Sequence, residues 1–199
     1  MKYVKMLGLL AVAAAALMAV TATASATSLT SGGVKLGVGT EIHAVNENGH
    51  VTLANPIANI SCSSTTKGEI TNAGGEGAAV VGTLSDLTFT GCTNSWHVTA
   101  VTGGTLSLNW KATSEASLTS SGAKVDTTRF GVTCVYETAG TPVGTVTDSN
   151  KTKATATLDI SASIPINTAE SSSLCGTGNA KWEGSYVADI PDSIVIDEK

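Results

Sequence analysis

The stretch ATATLDISASIPI, residues 154–166, alternates almost without a fault. Ala154, Ala156, Leu158, Ile160, Ala162, Ile164 and Ile166 fall on one parity, and Thr155, Thr157, Asp159, Ser161 and Ser163 on the other. Successive side chains of a strand point to opposite faces. The pattern therefore specifies a strand with one apolar and one wet face, and it does not fit the 3.6-residue repeat of a helix. Pro165 has no N–H to give to a ladder, so the strand ends, bulges or lies at an edge there.

The same period recurs along the chain. In IANISCSSTTKGEITN, Ile60, Cys62, Ser64, Thr66, Gly68 and Ile70 share one face. Leu106, Leu108 and Trp110 alternate with Thr105, Ser107 and Asn109, and Val132, Cys134 and Tyr136 with Thr133 and Val135. Outside the first residues no segment repeats apolar residues at three and four over two turns. Turn signals separate the runs: NENG at 46–49, NAGGEG at 72–77, GG at 103–104, SSG at 120–122, AGTPVG at 139–144, DSN at 148–150 and CGTGN at 175–179. About ten strands at roughly ten-residue spacing predict an all-β domain, an antiparallel β-sandwich or a barrel-like variant of it.

The chain opens MKYVKMLGLLAVAAAALMAVTATASATS. Lys2 and Lys5 precede an apolar run from Met6 to Val20, and Ala24-Ser25-Ala26 has the small-x-small form of a cleavage site. This reads as a secretory signal peptide over residues 1–26, leaving one domain over 27–199. The expected location is extracellular or at the cell surface. No second apolar run has membrane length, so no span is expected in the mature chain. Of the 11 basic residues, Lys2 and Lys5 leave with the leader; 9 remain against 16 acidic ones, a net charge of −7. That balance argues against nucleic acid, whose binding rests on clustered basic residues that neutralise phosphates.

Four cysteines remain: Cys62, Cys92, Cys134 and Cys175. They are even in number, far apart and in an exported chain, which predicts two disulfides. A zinc site would need closely spaced ligands such as a CxxC pair, and none occurs. Four cysteines allow three connectivities. Sequential pairing, Cys62 with Cys92 and Cys134 with Cys175, is favoured because each half then holds its own staple. Cys62 and Cys134 sit on apolar strand faces; Cys92 and Cys175 sit beside glycine at strand ends.

Chemistry is sparsely signalled. His43, His50 and His97 lie apart, each reading as a surface residue, and no catalytic residue is assigned. GxSxG, HExxH, P-loop and GxGxxG motifs do not occur, and neither cofactor nor metal is expected. Asp189, Asp192, Asp197 and Glu198 are spread through the C-terminal stretch around a strand at 193–196, unlike the converging oxygens calcium needs. Trp96 and Trp110 read as core. Trp182 and Tyr186, four residues apart with Gly184 between them on the same parity, form the one candidate ligand surface, an aromatic pair for stacking.

The arrangement ISC…LTFTGC…SWHV…LSL…GVTCVY…SSLCG resembles a group of uncharacterised secreted proteins of high-GC Gram-positive bacteria. More remotely it is similar to the PraB family, β-rich secreted proteins named for activating alkane oxidation. The resemblance spans roughly residues 40–190 and rests on the cysteine placement and the Gly91-Cys92 and Cys175-Gly176 turns. The segment before Cys62 is longer than in PraB. The resemblance implies an exported β-sandwich at the cell surface, with effects on contact with apolar material, and it supplies no catalytic residue. The expected role is a non-enzymatic surface or matrix protein, structural or adhesive, that self-associates or meets a cell-surface partner. The alternative is an extracellular module for an apolar or carbohydrate ligand of unknown identity. A secreted hydrolase is the third reading; it requires a histidine within reach of a serine and a carboxylate.

Overall fold

The computed structural model describes residues 26–112, 114–148 and 156–197. Residues 1–25 of the expected leader, 1–26, lie outside the described residues. Among the described residues thirteen strands form: β1 Ser28–Ser31, β2 Val34–Lys35, β3 Glu41–Asn46, β4 Val51–Asn55, β5 Ala58–Gly75, β6 Ala78–Thr90, β7 His97–Thr102, β8 Thr105–Ala112, β9 Glu115–Arg129, β10 Val132–Thr147, β11 Thr157–Ile164, β12 Ala180–Ile190 and β13 Ile194–Asp197. Two short 3₁₀ turns, Thr93–Ser95 and Ser173–Cys175, complete the described elements.

Ten of these strands, β3 to β12, form one sheet, and it closes. β3 and β4 lie end to end between β5 and β12, making one stave in two pieces. β7 and β8 do the same along β9. β5 pairs β6, β6 pairs β8, β9 pairs β10, β10 pairs β11 and β11 pairs β12, always antiparallel. The result is an eight-stave up-and-down barrel, with each stave beside its neighbours in sequence. Of the two architectures expected, closure selects the barrel, because β12 returns to pair with β3 and β4.

Two turn signals prove to be kinks. SSG at 120–122 lies inside β9 and AGTPVG at 139–144 inside β10. Ala139 faces Ser121 there, the register shifts on either side, and Gly122 and Gly140 both have positive φ. Adjacent bulges bend both strands together, as a barrel corner requires, and glycine takes the left-handed backbone without steric cost. β11 ends at Ile164, one residue before Pro165.

Inward positions hold the core: Ile60 and Cys62 on β5, Leu118 and Val125 on β9, Ile160, Ala162 and Ile164 on β11. Thr65, Lys67 and Glu69 are exposed on the outside of β5. Apolar inside and hydroxyl-rich outside is the reverse of a bilayer-spanning barrel. Among the described residues no helix is long and apolar enough to cross a membrane.

The staves alternate in direction, so the barrel has two distinct ends. One carries the turns at 56–57, 91–96 and 130–131 and the connection 165–179; both disulfides lie here. The other carries the β5–β6 hairpin and the outer ends of β8, β10 and β12. A second sheet lies across that end, with β1 between β13 and β2. Its Leu29, Ile194 and Ile196 join the core. Thr27 Oγ1 accepts from Trp110 N at 2.8 Å and Ala156 N donates to Ile194 O at 2.8 Å, tying the sheet to the rim.

Candidate functional site

The concave, chemically distinct feature of this molecule is the barrel lumen. Parity puts Ile42 and Ala44 of β3, Thr66, Gly68 and Ile70 of β5, Val80 and Gly82 of β6, and Tyr186 and Ala188 of β12 on the inner wall. At that level several inward positions carry little or no side chain: Ala44, Gly68, Gly82, Ala156 and Ala188. The space they leave is a cavity of about 170 Å³, walled otherwise by residues such as Leu106, Leu108 and Leu118, with Leu29 and Ile194 of the terminal sheet over it.

The cavity ends at a polar partition. Tyr186 is 1% exposed, and its hydroxyl donates to Ser64 Oγ at 2.9 Å. Burial pushes the Tyr186 phenol up to about 12, opposed by its contacts with Ser64 and Trp182. The Trp182 Nε1 proton lies close to this group but makes no well-formed hydrogen bond. Beyond the partition is a second space of only about 20 Å³, lined by Cys62, Phe89, Val98, Tyr136 and Trp182 among others. Phe89 and Trp182 pack there with ring centroids 6.0 Å apart. Burial also raises the Tyr136 phenol, with Asn55 pulling the other way.

Trp182 and Tyr186 therefore do not form the exposed stacking surface expected of them. Their shared parity is the inward one: Tyr186 is fully buried and Trp182 half-buried. Gly184 between them gives up its side chain to Val51, whose Cγ1 would sit 2.6 Å from an added Cβ. The pair divides the lumen instead of presenting rings to solvent.

The cysteines pair as favoured. Cys62–Cys92 and Cys134–Cys175 are disulfides. The second pins the long 165–179 connection against the start of β10, helped by Ser171 Oγ accepting from Val135 N at 2.8 Å. Lys124 adds a tie from β9, 2.7 Å from Glu170 and 3.7 Å from Glu137. The Glu170 hydrogen bond is the main reason the Lys124 ammonium is held above its ordinary value.

His43 Nδ1 lies 2.6 Å from Asp189 Oδ1 on the outer wall. Among the described residues no serine or threonine hydroxyl hydrogen-bonds a histidine, so this pair is not extended into a nucleophilic triad. Asp189, Asp192 and Asp197 do not converge: Asp189 meets His43, and Asp197 accepts from Thr30 Oγ1 at 2.9 Å. Among the described residues no group of three or more histidine, cysteine, aspartate or glutamate side chains is placed to hold a metal. Trp96 is core, as expected, and the Arg129 guanidinium lies over its ring at 5.9 Å.

The lumen was missed in the sequence because its signal is a deficit. Thr66 and Gly68 stood on the apolar parity of β5, and only the register brings them beside Ala44 and Gly82. No family model, no curated protein and no solved structure matches the chain.

Proposed function

We propose that this protein is a secreted, non-enzymatic binding module that holds one small apolar molecule in its barrel lumen. One observation carries the reading: a cavity of about 170 Å³ inside a closed barrel, roofed by a separate sheet. An apolar occupant would take the largely apolar lining of this space out of water. Apolar cavities of about 150 Å³ stay dry and take benzene, which sets the scale of the ligand. Drug-sized pockets begin at about 300 Å³, so a large lipid or drug-like molecule does not fit without rearrangement.

The lining also selects between ligand classes. The Tyr186 hydroxyl is already committed to Ser64, and the Thr66 hydroxyl donates to Asp86 O at 3.1 Å. Besides Glu69 and Thr83, the lining offers a sugar's hydroxyls little to bond, and each one left unpaired costs on the order of 1–3 kcal/mol. The apolar ligand is favoured over the carbohydrate. The two disulfides suit an oxidising extracellular setting. Assembly into a matrix through strand edges has less to work with, since a closed barrel removes most of them.

The test uses toluene as the probe. Thermal unfolding of the oxidised protein under increasing toluene should show a rising Tm, as expected when a ligand binds only the folded state. Ala188→Leu, which fills the cavity from β12, should abolish the rise. A Tm that toluene leaves unmoved in the unsubstituted protein would rule the reading out.

A further inference from the structure

We propose that the disulfide-bearing end of the barrel docks on a lipid bilayer, seating Phe130, Leu174 and Ile57 in the boundary between headgroups and acyl chains. This does not depend on the lumen, which opens toward the other end. Phe130, Leu174 and Ile57 are 88%, 68% and 47% exposed, and they come from three different connections of one end. Phe130 tips the β9–β10 hairpin, Leu174 the 3₁₀ turn beside Cys175, and Ile57 the turn between β4 and β5. The opposite end exposes Val34, Val38 and Ile190 as well, but among acidic residues; the three tips here include the most exposed large apolar side chain described and lie where acids are few.

Phe130 adds an independent sign. Phe130 and Gly131 form a two-residue hairpin turn, with φ of +50° and +78°. Such turns favour Asn-Gly, because asparagine tolerates the left-handed region and a bulky residue does not. A left-handed non-glycine residue costs on the order of 1–3 kcal/mol. At this position phenylalanine is the worse choice for stability and for solubility, so the ring is there for something it touches.

Charge points to the kind of surface. The tips Asn55-Pro56-Ile57, Arg129-Phe130-Gly131 and Ser173-Leu174-Cys175 contain one charged residue, Arg129, whose guanidinium lies 4.5 Å from the Phe130 ring centre. The connection 165–179 contains a single acid, Glu170, which is already bonded to Lys124. Glu41, Glu76, Glu115, Asp189 and Asp192 all lie at the opposite end. An acidic body whose apolar-tipped end carries one acid in its long connection, already paired with Lys124, turns that end toward a bilayer, and Arg129 keeps its charge among phosphates while its stem lies along the ring. A protein partner is a poorer fit. Three tips offer on the order of 400 Å², about half of the roughly 800 Å² each partner buries in a stable interface.

Co-sedimentation with phosphatidylcholine vesicles, with and without phosphatidylglycerol, tests this. The oxidised protein should partition onto both, and more onto the anionic ones. Phe130→Asn should lower the partition coefficient more than about tenfold, the worth of one buried phenyl ring. The same variant should unfold at an equal or higher temperature, so lost binding cannot be put down to lost folding. Leu174→Ser should weaken binding by a smaller factor. The proposal is overturned if the unsubstituted protein stays in the supernatant with both vesicle types, or if Phe130→Asn binds as well as the parent. It is also overturned if the tips instead drive a concentration-dependent dimer, seen by light scattering and lost in Phe130→Asn.

Discussion

The two ends of this barrel are closed by different physics. One end is held covalently: Cys62–Cys92 and Cys134–Cys175 anchor two of its connections, and the space beneath is nearly filled. The other is closed by pairing alone, β1 against β13, above the larger cavity. A disulfide keeps its two connections together even when the strands around it open. A four-residue strand pair opens at a fraction of the global free energy. The difference puts the durable end where loops are long and the yielding end where something has room to pass.

The largest test of that contrast removes a staple. Cys134→Ser with Cys175→Ser opens a loop with a sequence separation of 41. The chain-entropy model puts the loss at about 4 kcal/mol, read from urea unfolding. The Tm rise with toluene should persist, because the cavity lies at the other end; its disappearance would mean the two ends are not independent. A smaller loss follows at the paired end. Ile194→Ala truncates a core residue that is 3% exposed, at a cost of about 2–4 kcal/mol. Hydrogen exchange in β1 should then accelerate more than in β5 and β10, and equal acceleration everywhere would erase the distinction.

The smallest effect is read by pH, at the partition between the two halves. Tyr186 is held up to about 12 by burial, above the ordinary 10.0. Between those values the folded state keeps a proton that the unfolded state releases. The folded state thus binds more protons, and stability falls as pH rises through that window. Residues 27–199 contain two tyrosines, Tyr136 and Tyr186, and burial raises both. Phenolate absorbance of the mature chain should stay low past pH 10 and then rise together with loss of the β signal in circular dichroism. Phenolate that forms at pH 10 while the fold persists would mean that the partition is wet.

Much of the wall was legible. The parity of β11 places Ile160, Ala162 and Ile164 inside, as read, and the strand ends before Pro165. The cysteine pairing came out as the favoured one of three connectivities, Cys62–Cys92 and Cys134–Cys175, though spacing alone did not choose among them. What escaped was set by long-range pairing. Whether the sheet stacks or closes depends on β12 finding β3 and β4, more than a hundred residues away in sequence. A glycine-rich stretch reads the same whether it turns the chain or bends it, so Gly122 and Gly140 looked like loops. Trp182 and Tyr186 had the right parity but an undecided face, since alternation does not say which side is in. The cavity needed register, because no single strand reveals that its small residues meet those of its neighbours.

Ser28 is paired with Asp197. At about 5–20 residues per second, a ribosome makes β1 some 8–35 s before it makes β13. The eight staves are local neighbours and can zip up in order, while β1 waits for a partner at the far end of the chain. The roof over the large cavity thus rests on the pairing that spans the widest stretch of sequence among the described strands, 28 with 197.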